Sequence, residues 1–272
     1  MRHAHKMKTA LALLGMCGVL LISAQAYAQS ADELAKATAN PVANLISVPL
    51  QSNWDKGYGP GDNTQYTLNV QPVIPFKLNN EWNLITRTIV PIVHQPAMTS
   101  GQGDAWGIGD TVMSLFLSPN ASSNGLIWGA GPVLLLPTAS KDRLGSEKWG
   151  AGPTGVVLVQ EGPWTYGVLG NHLWSFAGAD ARDKVSISYA NPFASYALGG
   201  GWTLTAQAEI TYNWEADSGK RTTLPASFIV SKVTHFGQQP VSLALGYKHF
   251  VEAPNGQLDH GVRFVVNFLF PK

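Results

Sequence analysis

GWTLTAQAEITYNWEAD, residues Gly201 to Asp217, alternates without a break between two kinds of side chain. Trp202, Leu204, Ala206, Ala208, Ile210, Tyr212 and Trp214 share one parity; Thr203, Thr205, Gln207, Glu209, Thr211, Asn213 and Glu215 share the other. Successive side chains of a strand point to opposite faces, so this stretch reads as a β-strand with one apolar and one polar face. A soluble sheet with one buried face turns a charged face to water. Here the polar face is mostly amides and hydroxyls, and the apolar band has Trp at both ends. Lipid outside and an enclosed polar space inside would suit such a strand.

The same pattern recurs along the chain. Gln65, Thr67, Asn69 and Gln71 alternate with Tyr66, Leu68 and Val70. About 12 segments of this kind are separated by clusters of Gly, Pro, Asn, Asp and Ser. Their cores lie near 45–54, 64–76, 82–94, 106–117, 126–137, 149–159, 164–176, 185–198, 202–214, 222–233, 241–250 and 261–270. The links alternate too. DKGYGPGDN, QPAMTSGQGDA, TASKDRLGSEK, AGADARDK, EADSGKR and VEAPNGQLD are long, glycine-rich or charged, whereas LNNE, SPNASSNG, QEGP, GGG and HFGQQP are tighter and nearly uncharged. Short turns on one rim and longer loops on the other mark an up-and-down transmembrane barrel. The fold class is therefore all-β, an antiparallel barrel with a short N-terminal helix.

Composition agrees with that reading. Charged residues make up 13% of the 272-residue chain, about half the usual share. The net charge of +1 gives no bias toward nucleic acid. Trp82, Trp106, Trp128, Trp149, Trp164, Trp202, Trp214 and Tyr212 fall near strand ends, where amphipathic rings form the two girdles of a membrane barrel.

The N-terminus predicts export. Arg2, Lys6 and Lys8 precede an apolar run, and Ala26-Tyr27-Ala28 offers a cleavage site, so residues 1–28 read as a signal peptide that is removed. The only cysteine, Cys17, lies in that leader, which leaves the mature chain no disulfide, zinc-thiolate site or thiol nucleophile. Residues 29–44 read as a short helical segment: Ser30 and Glu33 make a capping box, and Pro41 ends the helix. It is either a tether or a plug at a pore mouth. Residues 45–272 form the barrel.

Motifs for chemistry are sparse. None of His94, His172, His235, His249 or His260 has a serine two residues away to share its strand face. GYGPGDN and SGQGDAWGIGD are glycine-rich but do not lead from a strand into a helix and carry no GK[ST]. No enzyme activity, cofactor or metal is expected. WGAGP occurs twice, at Trp128–Pro132 and Trp149–Pro153, and predicts close backbone packing. Pro72, Pro91 and Pro225 predict bulges or kinks. Arg87, Glu209, Lys248 and Arg263 lie on polar parities and are expected in the lumen, either paired with one another or acting as selectivity groups of a mildly basic path. The last strand, GVRFVVNFLF, resembles the aromatic C-terminal signal read by the barrel-assembly machinery, although Pro271 and Lys272 follow the final Phe.

Longer stretches carry a family resemblance: NPVANLISVPLQSNW, TQYTLNVQPVIPFKLNNEWNLITRTIVPI, LIWGAGPVLLLPT, GPW-x-YG, NWEADS and NFLFPK. They resemble the outer-membrane transporter family labelled "MetA pathway of phenol degradation", over nearly all of the mature chain. Some members carry the name neuromedin U, a peptide hormone for which these residues give no support. The resemblance implies a Gram-negative outer-membrane barrel that transports small solutes, aromatic or hydrophobic compounds among them, with outer-membrane lipids and the assembly machinery as partners. It carries over no catalytic or binding residues. The competing readings are a structural or surface-interaction barrel with a blocked lumen, a lipid-acting barrel enzyme, and a soluble periplasmic β protein.

Overall fold

The computed structural model describes residues 31–59, 61–98, 101–121, 125–254 and 258–271. The expected leader, Cys17 and the Ser30 half of the capping box lie outside these residues. A short helix, α1 (31–38), comes first and is followed by Pro41, whose ring cannot continue a helix. The Asn40 carboxamide oxygen then accepts a hydrogen bond from the Val42 N–H at 3.0 Å, turning the chain toward the first strand.

Twelve antiparallel strands follow and close into a barrel. They are β1 (Ile46–Tyr58), β2 (Asn63–Val70, resumed at Val73–Lys77), β3 (Trp82–Gln95), β4 (Ala105–Ile108, resumed at Thr111–Pro119), β5 (Leu126–Leu136) and β6 (Lys148–Glu161). The second half comprises β7 (Trp164–Gly178), β8 (Ser186–Gly199), β9 (Trp202–Ala208, resumed at Ile210–Asn213), β10 (Thr222–Phe236), β11 (Gln239–Glu252) and β12 (His260–Phe270). Each strand pairs with the next, and β12 returns to β1 from Ile46↔Phe270 to Asp55↔Gly261, so no edge is left open. All the expected strand cores are found, several of them extended by a few residues.

The three interrupted strands have a common cause. Proline has no N–H to return to the ladder. In β2 the Gln71 N–H donates to Pro49 O at 2.9 Å, while Pro72 O accepts from the Thr88 N–H at 3.1 Å. At Pro91 the β3–β4 register slips by one residue, between Ile89↔Val112 and Ile92↔Ile108, which is a bulge. In β9 the break at Glu209 lies between Pro192 on β8 and Pro225 on β10. There the Asn191 side-chain amide donates to Ala208 O at 2.8 Å, replacing the N–H that Pro192 lacks. The bulge expected at Pro225 appears as a register shift against β11.

The WGAGP copies sit side by side, with Pro132 opposite Pro153. A Cβ on Gly131 would lie 2.1 Å from Leu115 O, and one on Gly152 would lie 1.7 Å from His172 O. Only glycine allows the neighbouring backbone so close.

Outside the barrel, every tryptophan except Trp82 is exposed. They form two rings. At the long-loop end Trp54 packs on Tyr66 at 5.3 Å between ring centroids, Tyr66 stacks on Trp106 at 5.9 Å, and Tyr212 meets Trp214 at 4.7 Å. At the short-turn end Trp82 meets Trp128 at 5.9 Å, Trp164 meets Tyr196 at 4.8 Å, and Lys232 Nζ lies 4.6 Å from the centre of the Trp202 ring. Between the rings the exterior exposes Val157, Val168, Phe228, Leu245 and Phe264. That is the apolar band of a lipid-facing wall.

Candidate solute path in the barrel lumen

The inward face is divided in character. Lumen-facing Ile85, Phe116, Val156, Leu158 and Leu169 form one buried apolar cluster, and Val133, Leu135 and Leu173 form another with Val112 and Val185 beside them. Apart from Val185, just before β8, these residues come from β3 to β7; β5 and the second half of β6 run nearly continuously apolar instead of alternating. The expectation that polar faces line the interior holds for most of β1, β2 and β9 to β12, with Val73, Val233 and Leu269 as exceptions, but not for this arc. The signal was present: runs such as GVVLV (155–159) are apolar on both parities.

The N-terminal segment occupies the short-turn end. Leu34, Ala35 and Leu45 are buried against Val233 and Leu269, while Val42 joins the apolar cluster of Ile85 and Phe116 inside the wall. Two polar clamps hold the segment. An Asp32 carboxylate oxygen accepts from the Gly201 N–H at 2.6 Å, and Lys36 O accepts from Gln160 Nε2 at 3.0 Å. The segment is thus docked inside the wall at the short-turn end.

The four charged candidates all project inward, and three of them join one buried network. Arg263 is 5% exposed and donates from Nε to Asn53 Oδ1 at 2.8 Å and from Nη2 to Glu209 Oε2 at 2.6 Å. Gly246 stands in register with Arg263 on β11, leaving space beside the side chain as it crosses toward β9. Lys248 is 3% exposed, pairs with the Asp55 carboxylate and lies 3.4 Å from Asn53 Oδ1. Asn53 thus bridges two ion pairs. Arg87 stands apart, its Nη2 donating to Gln71 Oε1 at 2.9 Å. Among the described residues no carboxylate is within ion-pair distance of Arg87. Asp55 is the residue the sequence reading missed: it shares its face with Asn53, but β1 runs on to Tyr58 through what reads as loop.

Arg87 and Gln71 also separate two cavities. The inner one, about 170 Å³, is lined by Thr38, Pro41, Leu45 and Asn191 as well as this pair, so the N-terminal segment forms part of its wall. The outer one, about 350 Å³, has Arg87 and Gln71 at its boundary, Glu209, Asn69 and Asn171 on its polar side, and Leu135, Leu173 and Ile187 on its apolar side.

The long loops are tied to the rim. The Asp104 carboxylate accepts from the Ala97 N–H at 3.0 Å and lies 3.0 Å from His94 Nε2; those two contacts, in that order, hold its pKa below the ordinary carboxylate value. The Asp259 carboxyl is lowered likewise, chiefly by its hydrogen bond to His260. Asp110, at the β4 break, accepts from the Ser146 N–H and hydroxyl at 2.6 and 2.7 Å and fastens the 137–147 loop.

A histidine does meet a serine, but across strands. His172 Nδ1 lies 2.7 Å from Ser188 Oγ, its register partner on β8, and Ser188 Oγ also accepts from Trp214 Nε1 at 2.9 Å. The group lies on the outer face within the aromatic ring. Among the described residues no carboxylate orients the imidazole, so the arrangement satisfies polar atoms at the girdle and lacks the third member of a triad.

No protein-family model matches the chain, and no curated protein sequence matches it. Solved structures do. The COG4313 outer membrane channel from Pseudomonas putida F1 superposes with a TM-score of 0.65 at 16% identity, covering 84% of this chain and 96% of that one. The NanC porin gives 0.50 at 10% identity, covering 83% and 100%. Outer membrane phospholipase A from Escherichia coli gives 0.46 at 12% identity, covering 84% and 90%, and at that distance carries no argument about catalysis. At these identities the likeness extends to the fold: this chain folds like a family of outer-membrane barrels.

Proposed function

We propose that the chain is a bacterial outer-membrane channel for passive movement of small solutes, with residues 31–44 as a displaceable plug at its short-turn end. The observation that carries this reading is the combination of a lipid-type exterior, banded by two aromatic rings, with a lumen holding both cavities and charged side chains. The export expected from residues 1–28 and the channels among the matched folds support this reading, and the sorting of loops supports an orientation with the short turns and the plug in the periplasm. The apolar arc of the lumen, together with the resemblance to the phenol-degradation transporter family, favours solutes with apolar surface, aromatic compounds included. In this reading the four charged residues tune selectivity through Arg87, because Lys248 and Arg263 are matched by Asp55 and Glu209.

A second reading, a structural barrel with a permanently blocked lumen, is favoured by the depth at which Val42 and Leu45 are buried. Conductance in planar bilayers separates the two. The refolded chain from Gln29 to Lys272 should give small or infrequent steps, and a variant beginning at Leu45 should give larger, more frequent ones. Silence from both, with folding and insertion verified, removes the channel and leaves the blocked barrel.

A further inference from the structure

We infer that the outer cavity is a binding site for a small amphipathic organic anion, with its carboxylate held by Arg87 and Gln71 and its apolar body against the β3 to β8 arc. The inference rests on the channel reading and names the class of solute it would take. Three features of the lumen converge on it.

The first is charge. Buried cations are ordinarily matched, and here Lys248 has Asp55 and Arg263 has Glu209. Arg87 has only the neutral Gln71 amide oxygen at 2.9 Å, so its guanidinium keeps further donors for a planar anion. Glu209 borders the same cavity, but Arg263 neutralises it. The second is shape and lining. About 350 Å³ lies near the lower end of the roughly 300–1,000 Å³ of small-molecule sites, which suits a single ring or a short branched chain. Ile89, Val112, Leu135, Leu173, Val185 and Ile187 supply its aliphatic side, and Tyr189 adds one aromatic ring. Gln51, Asn69 and Asn171 supply amides elsewhere on the wall. The third is position. Arg87 and Gln71 border both cavities, so an anion on them occupies the waist between the outer chamber and the plug.

An ion alone would not use the apolar side, and a neutral hydrocarbon would leave Arg87 without a countercharge. A monocarboxylate with a compact apolar body uses both.

The test is direct binding to the refolded, detergent-solubilised chain by calorimetry and ligand-observed NMR, with benzoate, benzyl alcohol and acetate as probes. Benzoate should bind at least tenfold more tightly than either of the others. Arg87→Met should weaken benzoate at least tenfold and leave benzyl alcohol within twofold, and Arg87→Lys should recover part of the benzoate affinity. Equal binding of benzoate and benzyl alcohol, or unchanged benzoate affinity in Arg87→Met, overturns the inference. If both Arg87 variants fail to fold, Leu173→Asn serves instead: it should weaken benzoate while leaving acetate unchanged, and equal loss for both probes again overturns it. Because binding is read without current, a protein that conducts but shows no preference sinks only this inference. One that binds benzoate, while both it and the variant beginning at Leu45 stay silent in bilayers, sinks the channel reading.

Discussion

A buried guanidinium is stable only while its partners remain. Arg263 touches both Asn53 and Glu209 inside the barrel, so Arg263→Met strands the Glu209 carboxylate and leaves Asn53 Oδ1 only the longer contact to Lys248. Breaking one partner of such a pair costs about 3–5 kcal/mol, and we expect a loss of that order in urea unfolding of the refolded protein. Adding Glu209→Gln should restore a substantial part, because the neutral amide no longer needs the cation. Purely additive losses would show that the two side chains do not interact in the folded state. These partners were legible in the sequence as far as parity goes: Arg87, Glu209, Lys248 and Arg263 all project inward as their strands predict. Parity cannot say who meets whom around a closed ring, and Asp55 was hidden because Lys56 and Gly57 after it carry turn chemistry.

Elements, rather than residues, decide whether the lumen is open. Helix α1 has too few residues to persist alone in water, so its docking on Val233 and Leu269 supplies its stability. A Cβ on Gly201 would lie 3.5 Å from Ala31 Cβ, within the range of a disulfide. A refolded chain of residues 29–272 contains no native cysteine, so Ala31→Cys with Gly201→Cys offers that bond as its one intramolecular disulfide, and non-reducing gel mobility separates it from cross-linked dimers. Gly201 has a φ of 79°, which costs a side chain about 1–2 kcal/mol, and its Cβ would also lie 2.9 Å from Val233 O, so a small local shift is required and folding of the variant is verified before conductance is read. We expect the oxidised variant to conduct less than the wild type and dithiothreitol to restore it; conductance indifferent to redox state would mean the plug does not gate. The loops have their own switch. Asp104 has a lowered pKa, so its hold on the Ala97 N–H is complete above the ordinary value of 3.8 and is lost as pH falls through the lower, folded-state pKa. The Ala97 amide resonance should therefore titrate below 3.8 in the wild type and stay flat in Asp104→Asn. The helix and its end at Pro41 were readable from local signals, whereas its docking depends on contacts more than a hundred residues away, as between Lys36 and Gln160.

At the scale of the whole molecule, the strand count follows from a period of two broken by turn residues, and the barrel from the sorting of loops and the tryptophans at strand ends, since a wall between lipid and lumen imposes these patterns on most of the chain. What the period could not convey is the content of the lumen. In β5 and the second half of β6 both faces are apolar, so alternation vanishes there and the sequence cannot distinguish a lipid-facing leucine from an inward one such as Leu135 or Leu158. Location in a membrane has a test that involves neither the pore nor the plug. The exposed tryptophans sit at two levels, Trp54, Trp106, Trp149, Trp174 and Trp214 toward the loops and Trp128, Trp164 and Trp202 toward the turns. In a bilayer both levels fall at the headgroup boundary, where indole rings satisfy their N–H while keeping their bodies in lipid. Refolded protein in vesicles should then show tryptophan emission quenched more strongly by lipids brominated near the headgroup than by lipids brominated near the chain end, with little quenching by aqueous acrylamide. Strong acrylamide quenching together with indifference to brominated lipid would mean that the apolar band faces water or another protein, and the membrane reading would fall with it.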